Sequence, residues 1–137
     1  MGILYPMFAM IALSGVIATL LLASRIPAIV KMWGNLQHAK HADVLRPHLP
    51  TRMRYITDNY NHIFEQPTLF YAVVVYLFLM QRTDETHIIL AWAFVCLRAV
   101  HSIIQLSNNN VTWRATCFAA STCCLITMIA REAVLFI

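Results

Sequence analysis

Charge is scarce in this chain. Of its 137 residues only 12% are Asp, Glu, Lys or Arg, while 60% are hydrophobic, and the mean hydropathy is +0.65. A water-soluble domain usually carries about 25% charged residues, so a soluble domain is excluded and an integral membrane protein is expected. Several motifs are also missing. The chain contains no GxGxxG, no P-loop, no GxSxG and no HExxH, which removes the usual sequence grounds for nucleotide binding, serine hydrolysis or zinc proteolysis. It has no CxxC either. Its four cysteines, Cys96, Cys117, Cys123 and Cys124, all fall in apolar segments and read as small, soft core residues rather than redox or metal ligands. His38 and His41 form one pair, short of the ligand set that zinc needs, so no metal site is expected. The N-terminus lacks the basic region of a cleavable signal, and Pro6 stands where myristoylation requires Ser or Thr.

What is present is a series of apolar segments. Ile3–Ser24 has no charged residue and is long enough to cross a hydrocarbon core of about 30 Å. Gln66–Gln81, Thr86–Ser107 and Ala115–Ile137 follow. Gln66–Gln81 is short alone and must borrow length from the amphipathic stretch before it. Arg98, Arg131 and Glu132 interrupt the last two and need an interior or helix-end explanation. The fold expected is an all-α integral membrane protein, a single up-down four-helix bundle over residues 1–137. A kink or helix end is expected near Ala23–Pro27, a stop at Trp33–Asn35, an N-cap at Thr51 and a kink at Pro67. The polar segment Leu36–Pro50 is the candidate for a mobile lid.

The basic residues set an expected orientation. Lys31, Lys40, Arg46, Arg52 and Arg54 lie between spans one and two, whereas the opposite side has only Arg82 and Arg131. The positive-inside rule then puts the loop over 32–53 in the cytoplasm and both termini outside it. The formal charge of +4 is thus a topology signal, and nucleic acid is not an expected partner.

Polar residues recur at helical spacing on three segments. Arg54, Asp58, Asn61 and Glu65 are separated by four, three and four, as on one helix face. Arg98, His101 and Gln105 repeat that spacing, with Ser102 nearby, and Arg114, Cys117, Ser121 and Cys124 form a third stripe. Ionisable groups carried into a bilayer are expensive, and mark either a functional site or helices locked together. Glu65 and Arg98 are expected to lie deeper than the rest and to be partners, either neutralising each other or meeting a ligand. For Arg54 and Arg114 the choice lies between positive-inside anchoring and anion binding. Trp92, Trp113 and Tyr76 are read as lipid-facing or interfacial aromatics.

The run Arg54, Asn61, Glu65 and Pro67 leading into LFYAVV resembles the second-helix signature of the MAPEG superfamily, the membrane-associated proteins in eicosanoid and glutathione metabolism. Leu90–Asn110, followed by Val111–Arg114, resembles that family's third helix and next loop. The similarity is to small bacterial members. It implies a homotrimer in a bacterial inner membrane, with glutathione as co-substrate between subunits near the cytoplasmic face and an apolar small-molecule electrophile arriving through the bilayer. It implies that Arg54, Asn61 and Glu65 hold glutathione, with Arg98, His101 and Gln105 contributed by the third helix, and that Arg114 stabilises the thiolate. The chain departs from the family pattern where Thr57 replaces an arginine, where His62 stands three residues before Glu65, and where His101 and Gln105 replace tyrosines. A thiol of pKa about 8.5 is mostly protonated at neutral pH, and a nearby arginine raises the thiolate population available for attack. The expected activity is therefore that of a glutathione-dependent transferase or peroxidase. The alternative is a non-catalytic lipid-binding or assembly protein of the same fold. A small channel or transporter would need a continuous polar path, and the first helix offers only Ser14 and Thr19.

Overall fold

A computed structural model of the protein describes residues 2–41 and 45–136. Helices dominate: α1 (Leu4–Trp33), α2 (Thr51–Ile63), α3 (Gln66–Leu79), α4 (Glu85–Leu106) and α5 (Val111–Ala133). With α2 and α3 taken as one interrupted span, four helices are long and apolar enough to cross a membrane. The chain is thus a multi-pass integral membrane protein built as a four-helix bundle.

Helix α1 does not end at Pro27. It continues to Trp33, where Gly34 adopts a left-handed φ of 67° and returns its N–H to the Val30 carbonyl at 2.8 Å, the C-terminal role that glycine fills without a Cβ penalty. Among its described residues the connection that follows holds two short 3-10 turns, Leu36–Ala39 and Arg46–His48. Its second half is anchored. Leu45 and Leu49 are buried with Ile29 against Trp33 and Met53, and Arg46 Nη2 lies 3.0 Å from both carboxylate oxygens of Asp58. Residues 45–50 are therefore docked on α1 and α2, contrary to the free lid expected for this segment. Residues 42–44 and the His38 side chain, part of the same expectation, lie outside the described residues.

Two boundaries are also corrected. Pro50, not Thr51, precedes the first helical residue of α2. The expected kink at Pro67 is a full break three residues earlier: α2 closes at Phe64, Glu65 has ψ −82°, and α3 begins with Pro67 in its first turn. The physical cause is that proline has no N–H for the Ile63 carbonyl and its ring clashes with that carbonyl. The carbonyls freed nearby find side chains. Thr68 Oγ1 donates to the Phe64 carbonyl at 2.6 Å, and the Arg98 guanidinium donates to the His62 carbonyl.

Helix α4 starts at Asp84, whose Oδ1 accepts the His87 N–H at 2.8 Å, and α5 starts at Asn110, whose Oδ1 accepts the Trp113 N–H at 3.2 Å. Both are favoured N-caps. Helices α4 and α5 form the most extensive pair, while α1 packs on α2, α3 and α4. The core contains Met10, Ile17, Ile63, Phe70, Val74, Leu77, Phe94, Leu125 and Met128, with the Phe70 and Phe94 rings stacked 4.4 Å apart. Cys117 is buried and Cys124 is half-buried and packed against the core, whereas Cys96 and Cys123 are exposed on the outside of the bundle, so the core reading holds for two of the four cysteines. Trp92 and Trp113 are exposed as expected, but Tyr76 packs against the core and its hydroxyl is buried.

Candidate functional site

The helix break organises a polar junction. Arg98 on α4 is 1% exposed. It donates to the His62 carbonyl, sits 3.4 Å from Gln66 Oε1, and stacks over Phe118 with 5.7 Å to the ring centroid. Gln66 also contacts Ser121 (3.2 Å) and Thr122. Arg98 thus closes the open backbone between α2 and α3 and ties it to α4 and α5. It does not pair with Glu65, as the spacing suggested. The Glu65 carboxylate instead lies 3.2 Å from His62 Nδ1 and is half-exposed. A guanidinium is suited to this task because its planar fork of donors reaches two acceptors at once.

The remaining candidates, apart from Gln105, fall into two cavities flanking α2. One, of about 160 Å³, is lined by Arg25, Arg46, Arg54, Thr57, Asp58 and Asn61, with Leu49. Three guanidiniums face one carboxylate here, and Arg46 is already paired with Asp58. Among the described residues the Arg54 side chain donates only to Thr51 Oγ1, at 3.3 Å, and its buried Nε has no partner. The other cavity, of about 210 Å³, is lined by His62, Glu65, His101, Arg114 and Phe118, with Val111 and Ala115. The Arg114 Nη1 donates to Asn109 Oδ1 at 2.5 Å, and among the described residues no carboxylate pairs with it. His101 is 2% exposed and its Nδ1 lies 3.0 Å from the Arg114 carbonyl. Among the described residues each cavity therefore offers a guanidinium that no carboxylate pairs with, in surroundings where a guanidinium–anion pair is stronger than in water.

The expected constellation is thereby divided. Arg54 and Asn61 share one cavity, Glu65, His101 and Arg114 share the other, and the two have no lining residue in common. Arg98 and Gln105 line neither. Gln105 is fully buried, and among the described residues neither of its amide atoms has a hydrogen-bond partner. It lies on the same helix as Ser102, whose hydroxyl donates to Asn59 Oδ1 at 3.0 Å.

Three polar residues that pack inside the bundle escaped the sequence reading, the half-buried Gln66 and the buried Asn59 and His87. Gln66 passed as the first residue of an apolar segment. Asn59 is 0% exposed and was detectable as a polar residue on the apolar stripe Ile56, Tyr60 and Ile63. A second polar group closes the opposite end of the bundle and accounts for Arg131 and Glu132. Glu132 is buried, 3.2 Å from Arg82 Nη1 and 3.9 Å from His87 Nε2, while Arg131 pairs with Asp84. The Asp84 carboxyl is held below the usual carboxylate range, first by the His87 backbone N–H and then, against partial burial, by the charges of His87 and Arg131. Among the described residues no group of three His, Cys, Asp or Glu side chains is placed to hold a metal ion.

No curated protein and no solved structure matches the chain. The model of the MAPEG family matches residues 3–134. That match covers nearly the whole four-helix bundle, both cavities and the broken second span, and the chain belongs to the MAPEG family.

Proposed function

We propose that this protein is a membrane-embedded glutathione-dependent transferase or peroxidase acting on apolar electrophiles. The observation that carries the reading is Arg114, a guanidinium without a carboxylate partner among the described residues, in one cavity with Glu65 and His101. Such a site attracts an anion, and a thiolate is the anion whose formation begins the reaction. Arg114 holds the sulfur in this reading, and Glu65 receives the ammonium or amide end of the tripeptide.

The division of the candidates between two cavities supports a ligand shared by neighbouring subunits of a homotrimer. One protomer then supplies Arg54 and Asn61 for a carboxylate, and the next supplies Glu65, His101 and Arg114. Arg98 acts on the protein's own backbone and supports the site from behind. The loop over 32–53 faces the cytoplasm, where glutathione is drawn from, and the electrophile enters laterally from the bilayer.

Arg114→Ala tests the assignment. Conjugation of glutathione to an apolar electrophile such as 1-chloro-2,4-dinitrobenzene should be lost, while the oligomer in detergent stays the size of the wild type. Unchanged turnover in the purified variant would refute the role given to Arg114.

A further inference from the structure

The ring of His101 is locked in one tautomer by its own surroundings. Its Nδ1 lies 3.0 Å from the carbonyl oxygen of Arg114. A carbonyl only accepts, so Nδ1 carries the proton and donates. In the neutral ring the other nitrogen, Nε2, is then a bare acceptor. Nε2 is buried and has no hydrogen-bond partner among the described residues, yet the residue lines the cavity that holds Glu65 and Arg114. A buried acceptor left unmatched is destabilising, so the site is incomplete until something donates to it. The neighbouring rings of His62 (6.0 Å between centroids) and Phe118 (6.2 Å) limit how far the imidazole can turn away.

We infer that His101 Nε2 is a fixed hydrogen-bond acceptor that selects peptide-like ligands presenting an N–H donor beside an anionic group. The inference rests on the glutathione reading for the identity of the ligand, and on the geometry alone for the acceptor. It also divides the cavity chemically. A lone pair repels a thiolate, so the sulfur belongs at Arg114 and a backbone N–H or ammonium belongs at His101. Glu65, the second acceptor in the cavity, adds to the same preference. A carboxylate or phosphate without an adjacent donor satisfies Arg114 and leaves Nε2 unmatched.

Two measurements on the detergent-solubilised full chain test this. The first is the nitrogen-15 NMR signature of His101 at neutral pH, assigned by its disappearance in His101→Asn. A protonated Nδ1 and a bare Nε2 are expected, and a protonated Nε2 overturns the inference whatever the protein binds. The second compares glutathione affinity in wild type, His101→Asn and His101→Gln by calorimetry. Asparagine places its amide near Nδ1 and can keep the bond to the Arg114 carbonyl, but has nothing at the position of Nε2. Glutamine can place an oxygen there. Affinity should fall on the order of tenfold in His101→Asn, and His101→Gln should recover most of it. Equal affinity in wild type and His101→Asn, or equal loss in both variants, overturns the acceptor role. S-methylglutathione, which has no thiol proton, should show the same sensitivity to His101→Asn. If that sensitivity vanishes, the donor is the thiol and the assignment of an N–H donor is wrong. Absence of glutathione binding to the wild type would refute the proposed function instead, and the tautomer measurement then decides the acceptor by itself.

Discussion

Arg98 donates to the carbonyl of His62 and to Gln66, whereas the side chain of Arg114 is tethered to the neutral amide of Asn109. The difference separates a structural arginine from one available to a ligand, although both are arginines on neighbouring helices. Replacing Arg98 with Leu leaves the His62 carbonyl and Gln66 without their donor in a buried junction. We expect a loss of about 1–3 kcal/mol in thermal stability, with glutathione affinity of the remaining folded protein changed less than in Arg114→Ala. Asp84 behaves as a cap and a charge at once. Asp84→Ala should cost about 1 kcal/mol by removing the acceptor for the His87 N–H. Because its carboxyl is depressed in the folded protein, its contribution is fully present above the unfolded carboxylate range near 4. It is lost as pH falls through the lower folded value. Thermal melts of wild type and Asp84→Ala should therefore converge toward strong acid, and a constant gap down to pH 2 would contradict this account.

The elements explain how much of the site was legible beforehand. The four spans could be read directly, because runs such as Ile3–Ser24 carry no charge at all and a bilayer tolerates little else. The distribution of the site residues was not legible. Spacing of four, three and four from Arg54 to Glu65 describes one face only if the helix is continuous, and the break at Phe64–Glu65 ends that continuity. Proline at position 67 announced a disturbance, but its result depended on Arg98 and Thr68 reaching the freed carbonyls, which no local pattern encodes. The inward placement of half-buried Gln66 and buried Asn59 likewise depends on residues far away in the chain, Ser121 and Ser102. The docked half of the first connection makes a further prediction. Leu49 is 4% exposed in a cluster of three buried residues, and Leu49→Ala removes packing worth about 2–5 kcal/mol at a well-filled site. The cluster is local, so the loss should appear as faster limited tryptic cleavage after Lys40 and Arg52 rather than as unfolding of the bundle. Unchanged cleavage rates would show that the segment is held by other contacts.

The whole molecule is an apolar bundle with polar closures at both ends. At one end Arg82, Asp84, His87, Arg131 and Glu132 join the α3–α4 turn to the end of α5. At the other, two small cavities carry Arg54 and Arg114, which no carboxylate among the described residues pairs with and on which the functional reading depends. The family establishes the fold and leaves open whether those cations hold glutathione or only accompany a structural, non-catalytic member. Thermal unfolding of the detergent-solubilised protein, with and without millimolar glutathione, separates the two most directly. A ligand at 100 times its Kd that binds only the folded state stabilises it by about 2.7 kcal/mol. The account predicts a rise in Tm for the wild type that grows with glutathione concentration and is largely absent in Arg114→Ala, whereas no shift in the wild type up to 10 mM, or an equal shift in both proteins, would contradict it.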